Sequence, residues 1–377
     1  MAEICQNAGR TDAPANFVAI PVKMRIGHGL RGLTATSRRQ SLTTNGPLKP
    51  PYLLFIGNAA DQLAAKTAIG ILQWRRDWCL GQTRLPGCQA NLDLPEMTPE
   101  EAAASGARTM VVGVANAGGF IPEAWSRMLV RALHAGLDLA SGLHDRLSDI
   151  PEVRSEAAAL GRALHDVRHP ARRFAVGSGE RRPGRRLLTV GTDCSSGKMY
   201  TALSLVDAMR RRRLDADFRA TGQTGIFIAG DGVSVDAVVS DFISGATEWL
   251  SPAASPAHWD VIEGQGSLFH PSYAGVSLGL LHGAQPDALV MCHEPTRTHM
   301  RGLPNRPLPD LAACIAANEQ AARLTNPNAA CVGVCINSSG LGPAEAEACL
   351  VRTRDRLGLP CVDPLIHGVD AIVDRLV

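Results

Sequence analysis

The chain has 377 residues, of which 45% are hydrophobic and 20% charged, the balance of a globular protein with room for two domains and a substantial core. Lys and Arg total 38 against 36 for Asp and Glu, a net charge of +2, which excludes a polyanion such as nucleic acid as the expected partner. No apolar run is long enough to span a bilayer, the start lacks a signal-peptide core, and the ten cysteines form no CxxC pair or zinc-finger spacing. A cytoplasmic chain with reduced buried thiols, no membrane partner and no metal centre is expected.

Residues 1–48 show no sustained periodicity and are rich in Arg, Ser, Thr and Gly in their later part, which predicts a poorly ordered extension. Order begins beyond it. Tyr52-Leu53-Leu54-Phe55-Ile56 reads as a buried strand, with a helical pattern over 61–74. Thr109-Met110-Val111-Val112 is a second buried strand, and 122–135 a helix opened by Pro122. A short strand over 137–143 and a helix over 154–167 follow. Strands alternating with helices imply a small parallel sheet, so residues 49–168 are expected to form one α/β domain. The stretch 169–186, rich in Arg, Gly and Pro, reads as a linker with solvated charges, and 187–377 as a second domain.

That second domain opens on Leu187-Leu188-Thr189-Val190-Gly191-Thr192-Asp193-Cys194-Ser195-Ser196-Gly197-Lys198-Met199. An apolar strand pattern stops at Gly191, and Gly197-Lys198 begins a helical one. Strand, Gly-bounded loop, Lys and helix describe a phosphate loop, whose converging amides and helix N-terminus bind an anion while Lys198 adds a full charge. The common pattern has four residues between its glycines; here five stand between Gly191 and Gly197, a loop that resembles the dethiobiotin synthetase branch of P-loop proteins. Met199 replaces the Ser or Thr that would bind Mg²⁺, so phosphate binding is expected rather than ordinary nucleotide hydrolysis.

Further along, Thr221-Gly222-Gln223-Thr224-Gly225 has the glycines of a second anion nest. Trp259-Asp260-Val261-Ile262-Glu263 is a strand ending on a carboxylate, and Ser267, His270 and Ser272 follow it. Ala288-Leu289-Val290-Met291-Cys292 is another strand, ending in His293-Glu294-Pro295-Thr296-Arg297, where Arg suits an acidic substrate. Helices are predicted over 309–323 and 343–357, and late strands over 331–337 and 360–364.

Together the loop 191–199, the nest 221–225, the run Trp259-Asp260-Val261-Ile262-Glu263-Gly264-Gln265-Gly266-Ser267-Leu268-Phe269-His270-Pro271 and the run 293–297 resemble the D-glutamate N-acetyltransferase (DgcN) family. The resemblance begins near Pro51 and extends to the end of the chain. It implies an α/β fold with an N-terminal Rossmann-like domain and a C-terminal P-loop NTPase-like domain, and transfer of an acetyl group from acetyl-CoA to the amine of D-glutamate or a related D-amino acid.

Such chemistry needs a cradle for the carrier's phosphates, a base for the ammonium and donors for the thioester oxyanion. The expected cradle is Gly191, Thr192, Asp193, Cys194, Ser195, Ser196, Gly197, Lys198 and Met199. The base is Glu263, Asp193 or His293. Thr221, Gly222, Gln223, Thr224, Gly225, His270 and Arg297 are expected at the acidic substrate, with amides of residues 264–266 at the oxyanion. The alternatives are an ATP- and Mg²⁺-dependent ligase or kinase of the dethiobiotin synthetase kind, and a non-catalytic nucleotide-binding regulator. A homo-oligomer is compatible with each.

Overall fold

A computed structural model describes residues 47–116, 118–170 and 172–377. The extension expected over 1–48 lies outside them except for Pro47 and Leu48, and Leu48 is buried.

Two parallel sheets make up the body. The first holds β1 (Tyr52–Phe55), β2 (Cys79–Thr83), β3 (Thr109–Val112), β4 (Asp138–Ser141) and β5 (Leu164–Asp166) in the order β2-β1-β3-β4-β5. Both faces are covered, so β1 and β3 are buried at every position and apolar apart from Thr109 at the start of β3, as suits parallel strands between helices. The second sheet is built from β6 (Arg185–Gly191), β7 (Ala216–Arg219), β8 (Trp259–Ile262), β9 (Ala288–His293), β12 (Ala330–Ile336) and β13 (Cys361–Val362) in the order β13-β12-β9-β6-β8-β7. A small antiparallel hairpin, β10 (His299–Met300) with β11 (Leu303–Pro307), follows β9.

The second sheet's order fixes where a ligand can sit. From central β6 the chain runs out to the edge at β7, returns to β8, and then crosses to the other side of β6 as β9. The crevice outside the carboxyl end of β6 is therefore the topological switch point, where open parallel sheets bind ligands. Register completes the arrangement: Gly191 lies opposite Cys292, so His293 leaves β9 level with Thr192, while Leu188 lies opposite Ile262, so Glu263 leaves β8 on the other side of β6 level with Thr189.

Several elements differ from the sequence reading. The helix expected over 154–167 is Pro151–Leu160, stopped by Gly161 in a left-handed conformation (φ 62°), and the residues beyond supply β5. A three-residue strand is too short to show a period. β2, the β10–β11 hairpin and the helix Ala274–Ala284 carry no expectation from sequence. Nor are the linker's charges all solvated. Arg182 donates to the carbonyls of Ser251 (2.9 Å) and Gly283 (2.8 Å), and buried Arg186 folds onto those of Arg182 and Pro183 (3.0 Å each).

The domains share one apolar cluster, which runs from Leu54 and Ile71 to Val206 and Phe227. At its edge the Arg75 guanidinium donates to the Ile228 carbonyl (2.8 Å), Tyr52 Oη donates to that of Phe227 (3.4 Å), and Trp74 meets Tyr200 with ring centroids 6.1 Å apart. The domains also approach closely at Gly70 of the helix Lys66–Trp74, where a β-carbon would stand 2.8 Å from Thr224 Cγ2 and 3.7 Å from Met199 Cε.

Candidate active site

The loop after β6 is tied both to itself and to the residues that follow β9. Gly197, at φ 96°, occupies a backbone conformation that a side chain would strain, and the helix Lys198–Arg211 starts immediately after it. Ser196 Oγ donates to the Asp193 carbonyl (3.1 Å), and Lys198 Nζ crosses the loop to the same carbonyl (2.8 Å). Lys198 is buried, and desolvation holds its ammonium below the usual lysine range. A phosphate entering here would exchange the carbonyl contact for a charged one, the stronger kind. Met199 spends its side chain on Gly70 of the other domain. The position that carries a magnesium-binding hydroxyl in hydrolytic P-loops is here part of the domain contact.

Asp193 is enclosed. Its Oδ2 accepts from Arg297 Nη1 (2.6 Å) and from the Arg301 amide (2.8 Å), and its Oδ1 from the Cys194 amide (2.7 Å). Arg297 also bonds Glu294 and the Cys194 carbonyl. The sequence expectation gave Arg297 to a substrate carboxylate; the structure gives its guanidinium to two carboxylates of the chain itself, which brace the loop from the β9 side.

Glu263, the first residue after β8, is 5% exposed and lies across β6 from His293. Its Oε2 accepts from the amides of Thr221 (3.0 Å) and Gly222 (3.1 Å), and its carbonyl accepts from Thr221 Oγ1 (2.5 Å). The nest expected to hold a substrate carboxylate is thus filled by Glu263. Small residues permit the approach: a β-carbon at Gly225 would stand 2.2 Å from Glu263 Oε2. Burial pushes the carboxyl up to about 7, against the pull of the two amides and of the nearby Lys198 charge. Desolvation raises a carboxyl in this way because it disfavours the ionised form. Near neutral pH the group both accepts and returns a proton.

His293 places Nδ1 3.0 Å from Thr192 Oγ1, and burial followed by the Arg297 charge lowers its pKa, which favours the neutral ring. His270 is held at both nitrogens: Ser272 N donates to Nδ1 (3.2 Å), and Nε2 meets the Arg301 carbonyl (3.0 Å). Asp193, Cys194 and His270 offer ligand atoms within 4.8 Å of one another, but these bonds already engage the carboxylate and both ring nitrogens. Of the amides expected at an oxyanion, that of Gly264 goes to Thr189 Oγ1 (2.9 Å). Thr189, Arg301 and Lys66 were not singled out in the sequence. Arg301 was recoverable as the second Arg after β9, whereas Thr189 hides inside an apolar strand.

The molecule is therefore a two-domain α/β protein, Rossmann-like then P-loop, with its polar cluster at the switch point of the second sheet. Two family models match it: DUF1611_N, a Rossmann-like domain of unknown function, over residues 83–170, and DUF1611 (DUF1611_C), a P-loop domain of unknown function, over residues 173–373. The chain belongs to the DUF1611 family. A Tritonibacter scottomollicae protein named D-glutamate N-acetyltransferase is 54% identical over 329 residues, 87% of this chain and 99% of its own. A Pseudoalteromonas protein of the same name is 50% identical over 329 residues, with the same coverage. The crystal structure of a DUF1611 family protein from Anabaena variabilis superposes with a TM-score of 0.77 at 32% identity, covering 87% of this chain and 99% of that one.

Proposed function

We propose that this chain is a cytoplasmic N-acetyltransferase that moves an acetyl group from acetyl-CoA to the amine of D-glutamate. The observation that carries the mechanism is Glu263: a buried carboxyl with a pKa of about 7, beside the lysine of a phosphate loop. The likeness to two named D-glutamate N-acetyltransferases over 87% of the chain supports the substrate. Nine described cysteines are free thiols, in keeping with a reducing compartment.

The residues divide the work. Residues 191–198 hold the carrier's phosphates, with Lys198 released from the Asp193 carbonyl to pair with them. Glu263 takes a proton as the amine nitrogen attacks the thioester carbonyl. The C–N bond forms, the C–S bond breaks, and the proton passes on to the departing thiolate. Asp193, paired with Arg297, keeps the loop in shape; a carboxylate so neutralised is a poor base. His293, neutral and bonded to Thr192, orients the loop's first turn. The transferred group is an acyl group, so a magnesium hydroxyl after Lys198 is not needed, and Met199 speaks against the ATP-dependent reading.

The test is product formation. With acetyl-CoA and D-glutamate the protein should release free CoA thiol and yield the N-acetylated amino acid by mass spectrometry. Release that requires Mg·ATP, or no product with any acyl donor, would overturn the reading. Lys198→Ala should weaken acetyl-CoA binding at least tenfold by calorimetry, since it removes a buried charge-assisted contact.

A further inference from the structure

Two cations reach the mouth of the loop from different domains, and neither forms an ion pair among the described residues. Lys66 opens the helix Lys66–Trp74, one turn before Gly70 and so on the same face, the face that meets Met199 and Thr224. Arg301 follows β10. Its amide donates to Asp193 Oδ2 (2.8 Å) and its carbonyl meets His270 Nε2 (3.0 Å), so its backbone is clamped to the loop while its guanidinium stays exposed. The neighbouring carboxylates, Asp193 and Glu294, are both taken by Arg297. Partial burial and then the Arg301 charge hold the Lys66 ammonium below its usual range. Like charges kept close without a counter-ion raise the energy of the empty site, and an anion placed between them removes that cost.

We propose that Lys66 and Arg301 form an anion subsite across the domain boundary, separate from the loop's own cradle, that binds a phosphate or carboxylate group of a reactant. The proposal rests on the reading of the loop as the carrier site. It accounts for an arrangement the loop and nest leave unexplained: the nest is filled by Glu263 and Arg297 by the chain's own acids, so an anionic reactant with more than a diphosphate to place needs other cations. Two sources supply that chemistry, an outer phosphate of the acyl carrier or a carboxylate of an acidic acceptor.

Calorimetry on the full chain separates them, with adenosine 3′,5′-bisphosphate and glutarate as probes on wild type, Lys66→Ala, Arg301→Ala and Lys66→Arg. Both side chains are exposed, so the variants should fold, which circular dichroism checks. The expected result is about tenfold weaker binding of one probe in each alanine variant, with most of the loss recovered in Lys66→Arg. Loss for the bisphosphate assigns the subsite to the carrier, and loss for glutarate assigns it to the acceptor. Alanine variants that bind both probes like wild type overturn the proposal, as does a wild type that binds neither. The outcome is independent of catalysis: absence of D-glutamate acetylation by the wild type would sink the functional reading alone.

Discussion

At the residue scale the proposed chemistry rests on Glu263, and its environment makes a stability prediction. Folding raises its carboxyl from 4.5 to about 7, so the folded chain binds the proton more tightly than the unfolded one. A group raised in this way contributes stability below pH 4.5 and loses that contribution as the pH climbs through about 7. The difference amounts to about 3 kcal/mol. Glu263→Gln should therefore gain stability relative to wild type between those limits, measured by urea unfolding across pH; an unchanged difference would mean that the carboxyl is not desolvated in solution. That the strand Trp259–Ile262 runs into an acid was plain in the sequence. That Asp193 would be claimed by Arg297, 104 residues away, was not, because no local pattern encodes which side chains a fold brings together.

At the element scale, the helix Lys66–Trp74 of the first domain packs against the start of the phosphate-loop helix. Met199 stands where a P-loop hydroxyl would be, and its thioether fills the space above Gly70. Met199→Ser should not create Mg·ATP hydrolysis. It should lower stability by about 1–2 kcal/mol through lost apolar packing, read by urea unfolding and a phosphate-release assay. The elements legible beforehand were the long buried strands and the phosphate loop, where composition, period and turn residues agree. The strands missed were short: β5 has three residues, and β2, with Gly81 and Gln82 in its interior, lacks an apolar run. Pairing within the sheet, rather than local propensity, makes these strands.

At the scale of the whole molecule, the two sheets are joined by a common apolar cluster and by side chains that cross the boundary. They should unfold as one cooperative transition by calorimetry. Arg75→Ala removes the 2.8 Å bond to Ile228 and leaves that buried carbonyl unsatisfied, at a cost of about 1–3 kcal/mol. It should lower the midpoint and split the single transition; a variant with the wild-type midpoint would show that the boundary contributes little. The first domain thereby becomes part of the candidate site's wall. Gly142, beyond β4, packs so closely on Gln223 that a β-carbon would lie 2.3 Å from its Oε1, which fixes the nest that holds Glu263.

The central claim is that Glu263 takes the proton from the attacking amine. The most direct measurement is the pH dependence of kcat/KM for acetyl transfer to D-glutamate, in wild type and in Glu263→Gln. The account predicts a wild-type rate that rises with pH and bends at about 7, and a variant slower by about 10²–10⁴-fold with that bend gone. A variant that keeps both the rate and the bend would contradict it.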